Sequence, residues 1–236
     1  MIKSPIFMHP KKTGMIFNSR KISIIISLNF LIINVFFAQD KKKWDVNNPE
    51  LPYKIVEFIT SEGTWMNVDV SPDGKLIAFD LLGDIYTIPF AGGKAKPIRT
   101  GLAYEVQPRF SPDGKSILFT SDAGGGDNIW VMNIDGKNAR QVTKENFRLL
   151  NNAVWMPDGE YFVARKHFTS TRSLGAGELW MYHIAGGTGV QITAKKNDQQ
   201  DLNEPSISSD GNFIYFSEEI YPGGYFQYNK DPNNTI

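Results

Sequence analysis

The chain has 236 residues, 25 basic and 25 acidic, with three histidines and no cysteine. This excludes disulfides, thiolate catalysis and cysteine-held zinc, and the balanced charge gives no electrostatic footprint for nucleic acid. Beyond residue 38 the balance turns acidic, 20 basic against 25 acidic, because Lys3, Lys11, Lys12, Arg20 and Lys21 precede that point with no acid beside them. Residues 1–38 read as a signal peptide: basic residues, an apolar run from Ile22 to Phe37, then Ala38-Gln39 at a cleavage point, with a bulky Phe36 at −3. Met15 also fits as a start, because a complete signal follows it. The rival reading is a membrane anchor, but the run is short for a span of about 20 apolar residues and is interrupted by Ser23, Ser27, Asn29 and Asn34. Residues 39–56 form a polar leader, and Lys54 to Thr60 alternates like a strand that could close a ring of blades.

From residue 57 onward one unit repeats. Its marker is a Ser-Pro-Asp-Gly turn, intact at Ser71 to Gly74 and Ser111 to Gly114, altered at Met156 to Gly159 and Ser208 to Gly211. The aspartates lie 40, 45 and 52 residues apart, the period of a propeller blade. Proline presets φ at the second turn position and glycine accepts φ > 0 at the last, so each copy joins two antiparallel strands tightly. An apolar strand follows each turn, as in Leu76 to Phe79 and Tyr161 to Ala164. An aliphatic-aromatic pair opens the next strand at Ile85-Tyr86, Ile129-Trp130 and Leu179-Trp180. A glycine turn and a strand ending in Thr100, Thr143 or Thr193 complete the unit.

The prediction is an all-β fold, a partial β-propeller of four-stranded antiparallel blades at about 57–101, 102–145, 146–195 and 196–236. The fourth unit breaks off: Ile236 stands where Ile85, Ile129 and Leu179 stand, and no aromatic follows. Three blades and part of a fourth do not make a ring, so a truncated portion of a longer product is expected.

Motifs for chemistry are missing: no G-x-S-x-G, no H-E-x-x-H, no H-x-H and no phosphate loop. Gly124 to Asp127 is one isolated copy of a calcium-repeat pattern and reads as a plain loop. No catalytic residue, metal ligand or cofactor is therefore assigned within the chain. The candidate site lies on the face opposite the Asp-Gly turns, where the connections lengthen along the chain. From turn glycine to the next aliphatic they span 11, 15, 20 and 25 residues. The third of them carries Arg165, Lys166, His167, Thr171, Arg172 and Glu178, with Tyr104, Arg148, Asn151 and Asp201 on the same face. One reading is a solvated loop whose ion pairs add under about 1 kcal/mol each. The other is a ligand or domain-interface site.

The S-P-D-G-K, D-I-Y or D-N-I-W, and Q-V-T series resembles the TolB-type propeller repeat of exported bacterial proteins. That repeat is shared with tricorn-like proteases and prolyl-oligopeptidase-type peptidases. Two longer stretches, Gly63 to Tyr86 and Arg165 to Glu178, resemble the N-terminal propeller of large secreted amidohydrolase-superfamily proteins. The resemblance implies a periplasmic or secreted module that docks on or gates a C-terminal catalytic domain, in which a divalent metal would sit. It equally admits a stand-alone adaptor for an envelope protein or the gate of a serine peptidase. Contact with membrane would come only through an uncleaved signal.

Overall fold

The period-two patterns after the Asp-Gly turns become hairpins in the computed structural model, which describes residues 44–49, 52–147, 149–167, 177–194, 201–220 and 233–235. The signal region lies outside the described residues. The first sheet runs β1 (Val68–Val70), β2 (Leu76–Leu81), β3 (Asp84–Pro89), β4 (Lys96–Arg99) in order. The second is β5 (Glu105–Phe110), β6 (Ser116–Ser121), β7 (Asn128–Asn133), β8 (Arg140–Gln141). The third blade is β9 (Leu150–Trp155), β10 (Tyr161–His167), β11 (Gly177–His183), β12 (Val190–Gln191), and the fourth β13 (Asp201–Ile207), β14 (Ile214–Ile220), β15 (Asn233–Thr235), the two joined into one seven-stranded sheet by a β11–β13 pairing. No helix occurs among the described residues, and the sheets do not close into a ring there. This is a partial propeller. The repeat also keeps register: Leu81↔Asp84, Ser121↔Asn128, Lys166↔Glu178 and Glu218↔Thr235 are equivalent pairs, ending the hairpin in the first two units and continued by further pairs in the last two.

The turns show why their residues recur. Ser71 Oγ donates to Asp73 Oδ1 at 2.7 Å and accepts from the Leu76 amide at 2.9 Å, and Ser111 and Ser208 do the same. Met156 has no hydroxyl, so Asp158 itself accepts from the amides of Glu160 and Tyr161. A second role emerges from packing between turns. A Cβ on Gly114, Gly159 or Gly211 would stand 3.5, 3.9 or 3.4 Å from the proline Cδ of the preceding turn, at Pro72, Pro112 and Pro157 respectively. Proline of one blade therefore seats glycine of the next.

Apolar side chains alternate to opposite faces of each sheet and meet between neighbours. Ala78 and Ile85 pack with Ile117, Phe119 and Met132; Leu118 and Ile129 with Phe162, Ala164 and Tyr182; Val163 and Leu179 with Leu202. The aliphatic member of each aliphatic-aromatic pair faces the following blade and is fully buried. The terminal threonines are functional parts of the frame: Thr143 and Thr193 hydroxyls accept from the amides of Ile129 and Leu179 at 2.9 Å.

One expected strand is not formed. Residues 54–60 make no ladder, and Ile55, Phe58 and Ile59 are exposed. Alternation sets only which side a residue faces; a strand also needs an edge to pair with, and none of the described edges takes this segment.

Candidate functional site

The inner strands of the second, third and fourth blades each carry a left-handed residue where the ladder shifts register: Gln107 at φ 59°, Asn152 at φ 50° and Glu204 at φ 52°. At the first two seams Gln107 and Asn152 form a ladder with Asp80. Asp80 Oδ2 accepts from the Gln107 amide at 2.7 Å, and Gln107 Oε1 accepts from the Asn152 amide at 2.8 Å. Gln107 Nε2 also donates to Asn152 Oδ1, and Thr120 donates to Gln107 at 3.0 Å. Buried Asp80 is thus held by the next blade's backbone.

The third seam departs from this pattern. Arg165 occupies the place in its blade that Asp80 and Thr120 occupy in theirs, six residues after the turn glycine. Its Nε and Nη2 donate to Asp201 Oδ1 at 3.0 and 2.5 Å, with both side chains almost fully buried. Its Nη1 meets His167 Nε2 at 2.7 Å and lies 3.5 Å from Asn151 Oδ1. Arginine has only donors, so Nε2 must accept, and the proton of a neutral His167 is assigned to Nδ1. The guanidinium has room because residue 177 is glycine: a Cβ there would come 2.7 Å from Arg165 Nε and 2.9 Å from its Cγ. Gly177 also makes the one parallel backbone pairing among the described residues, with Asp201. Side chain and backbone join the two blades at the same point.

Lys166 points to the other face, as strand alternation requires. Its Nζ donates to Glu145 Oε1 at 2.7 Å and sits 4.1 Å from the ring centre of Trp180. Tyr182 Oη donates to the same Glu145 oxygen at 3.3 Å. Burial pushes the Tyr182 hydroxyl far above its ordinary range, and the Glu145 carboxylate adds to the effect. Glu178, also buried, faces Lys166 across the hairpin. Strand β10 is therefore clamped backward through Lys166 and forward through Arg165.

The structure brings Arg165, His167, Asn151 and Asp201 together, and places Lys166 and Glu178 behind them. It also corrects their setting. Arg165, Lys166 and His167 are not in a solvated loop; they end a seven-residue strand and are 4, 7 and 2 % exposed. The strand runs on because both of its faces are covered by neighbouring blades. Tyr104 stands apart, half exposed beside Gly83, with its amide donating to Asp122 at 2.8 Å. Next to it Glu105 is buried against Arg99 at 2.9 Å, and burial raises its carboxyl above the usual range despite that guanidinium. Arg148, Thr171 and Arg172 lie outside the described residues. Glu145 and Gly177 were not singled out from sequence. Gly177 is visible as a small residue at the head of a strand, while nothing local marks Glu145.

Chemically the cluster is a brace. Every donor edge of Arg165 is engaged, and no nucleophile stands beside a base within it. Among the described residues no group of three His, Asp or Glu side chains is placed to hold a metal, and no helix is long and apolar enough to cross a membrane. The concave surfaces lie on the opposite rim. A groove of about 630 Å³ runs between the second and third blades past Asp113, Arg140, Trp155 and Asp158, and a smaller one of about 310 Å³ lies by Asp69, Arg109 and Pro157.

Residues 54–220 match the family model PD40, the TolB beta propeller domain. The Tol-Pal system protein TolB of Helicobacter hepaticus is 26 % identical over 166 residues, covering 69 % of this chain and 39 % of that protein. The uncharacterized peptidase YuxL of Bacillus subtilis is 31 % identical over 156 residues, covering 64 % of this chain and 21 % of that protein. The chain thus spans well under half the length of these relatives. TolB from Acinetobacter baumannii superposes with a TM-score of 0.53 at 22 % identity, over 67 % of this chain and 41 % of that one, which shows a shared fold.

Proposed function

The chain belongs to the TolB beta propeller domain family, and on that premise we propose that it is an exported docking and gating module of a larger hydrolase, without a reaction of its own. The observation that carries this reading is the two-sided clamp on β10. It spends buried charges on holding one long hairpin rigid on the loop rim, where no substrate chemistry is assembled. A rigid hairpin suits a surface that seats another domain.

For the catalytic partner, the stretches Gly63 to Tyr86 and Arg165 to Glu178 favour a metal-dependent amidohydrolase, and the similarity to YuxL favours a peptidase. A second reading, an adaptor for an envelope protein, is favoured by the similarity to TolB. The signal-like residues 1–38 support export, with the module acting in the periplasm or outside the cell.

Photo-crosslinking from Tyr104 on the loop rim and from Ser209 on the turn rim, in cells making the natural product, tests docking directly. Adducts from Tyr104 to a hydrolase domain or envelope protein are expected; adducts from Ser209 alone would refute the assignment. The purified chain should turn over no amide, ester or peptide substrate even with zinc or manganese. Loss of the parent's activity on chelation would mark a metal enzyme, and labelling by a fluorophosphonate a serine peptidase.

A further inference from the structure

The brace at the third seam works in only one protonation state of its histidine. We infer that His167 is a pH-sensitive latch: the neutral ring completes the hold of Arg165 on Asp201, and the protonated ring opposes it. The latch goes beyond docking and would make the junction of the third and fourth blades responsive to acid.

The geometry leaves little freedom. His167 is 2 % exposed, and its Nε2 takes an Arg165 Nη1–H at 2.7 Å. Its backbone amide is fixed to the Leu149 carbonyl at 2.9 Å, and the buried ring has no open space to rotate into. Protonation places a donor against a donor and a second positive charge within hydrogen-bond distance of the guanidinium. Among the described residues, the charged groups on that face are Arg165 from β10 itself and Asp201 from β13. Strand β9 contributes the neutral Asn151, and β11 the apolar Leu179 and Gly177, which has no side chain. Glu178 and Lys166 lie on the other face of the hairpin, toward Glu145. Asp201, already holding two arginine donors, then has a second cation placed beside the guanidinium that it neutralises. Since Gly177↔Asp201 is where β11 and β13 pair, losing the side-chain hold releases the backbone link at the same place.

The sign follows from the form the structure holds. Free imidazole titrates near pH 6.5, and the folded seam requires the neutral ring, so the seam is intact above that value and weakens as pH falls through it. If opening is coupled to one proton, the open fraction rises roughly tenfold per pH unit below the midpoint.

Amide hydrogen exchange at Leu202 and Asn203, corrected for intrinsic rates, should therefore accelerate roughly fivefold between pH 6.5 and 5.5 in the full chain. His167→Gln retains an oxygen acceptor for Arg165 and cannot titrate, so its exchange should stay level over that range. An equal acceleration in His167→Gln would overturn the latch. Ring nitrogen NMR on the unaltered chain decides the matter even if the variant does not fold. A proton on Nδ1 at pH 7.5, with β13 exchange following the titration of that ring, supports the latch. A proton on Nε2 at pH 7.5, or exchange indifferent to ring protonation, refutes it.

Discussion

The two rims of this propeller are built by different means. On the turn rim a few backbone-directed contacts recur: serine caps aspartate, and each proline seats the next blade's glycine. On the loop rim the first two seams share the Asp80–Gln107–Asn152 ladder, and the third abandons it for Arg165, His167 and Asp201. The contrast separates what the fold requires from what this blade has been given in addition. Repeated residues hold the scaffold, and the exception marks the site.

The largest expected effect tests the exception. Asp201→Ala leaves a buried guanidinium without its carboxylate and should cost about 3–5 kcal/mol, read from denaturant midpoints. Arg165→Leu made with Asp201→Ala should recover much of that loss, because an apolar pair leaves no uncompensated charge. A single-mutant cost no greater than that of an exposed ion pair would mean the brace is not what joins these blades.

On the turn rim, Gly136 ends the hairpin of the second blade at φ 85°, and a Cβ there would overlap the Ile98 carbonyl of the first. Gly136→Ala should cost about 2–4 kcal/mol, combining overpacking with the left-handed backbone. Gly74→Ala, at φ 70° with open space around it, should show only the backbone part, about 1–2 kcal/mol. Equal costs at the two glycines would remove the interlock from the account.

The serine cap is a smaller matter. Ser111→Ala gives up the bonds to Asp113 and the Ser116 amide and should lose about 1 kcal/mol. The reverse change at the altered turn, Met156→Ser, should give almost no net gain, since Met156 also packs on the core of the third seam. Thermal midpoints of the two variants against the unaltered chain make the comparison.

The smallest effect is in the acid limb. The Ser208 hydroxyl, followed by the Asn212 amide, holds the Asp210 carboxyl at about 2, below its ordinary 3.8. The folded value lies below the unfolded one, so the cap stabilises above pH about 4 and is lost as pH falls toward 2. Carbon NMR of the carboxyl should show Ser208→Ala moving its midpoint upward; an unmoved midpoint would discard the hydroxyl as the cause.

Legibility divides along the same line. The blades could be read because turn and strand signals are local: proline, aspartate and glycine act within four residues, and Phe162 or Leu179 betray their faces by alternation. The site was legible only as a set of polar residues on one rim. Arg165-Lys166-His167 looked like a loop because charge masks alternation, although Tyr161 to His167 continues the strand without a break. The partnership of Arg165 with Asp201 spans 36 residues and leaves no local trace. Lys54 to Thr60 erred in the opposite sense, showing a clean pattern with no edge to receive it.

The interlock of proline with the following glycine carries an evolutionary consequence. Each of the first three blades supplies a proline to its successor and each of the last three a glycine to its predecessor, so a gene duplication or unequal crossover that adds or deletes one blade among them leaves the remaining proline–glycine junctions matched. Blade number is then free to drift during descent. The Arg165–Asp201 junction has no such portability: its two halves differ, they lie in successive blades, and a crossover between them would strand a buried charge on each side. Lineages carrying it should keep those two blades as an inherited pair while the number around them varies.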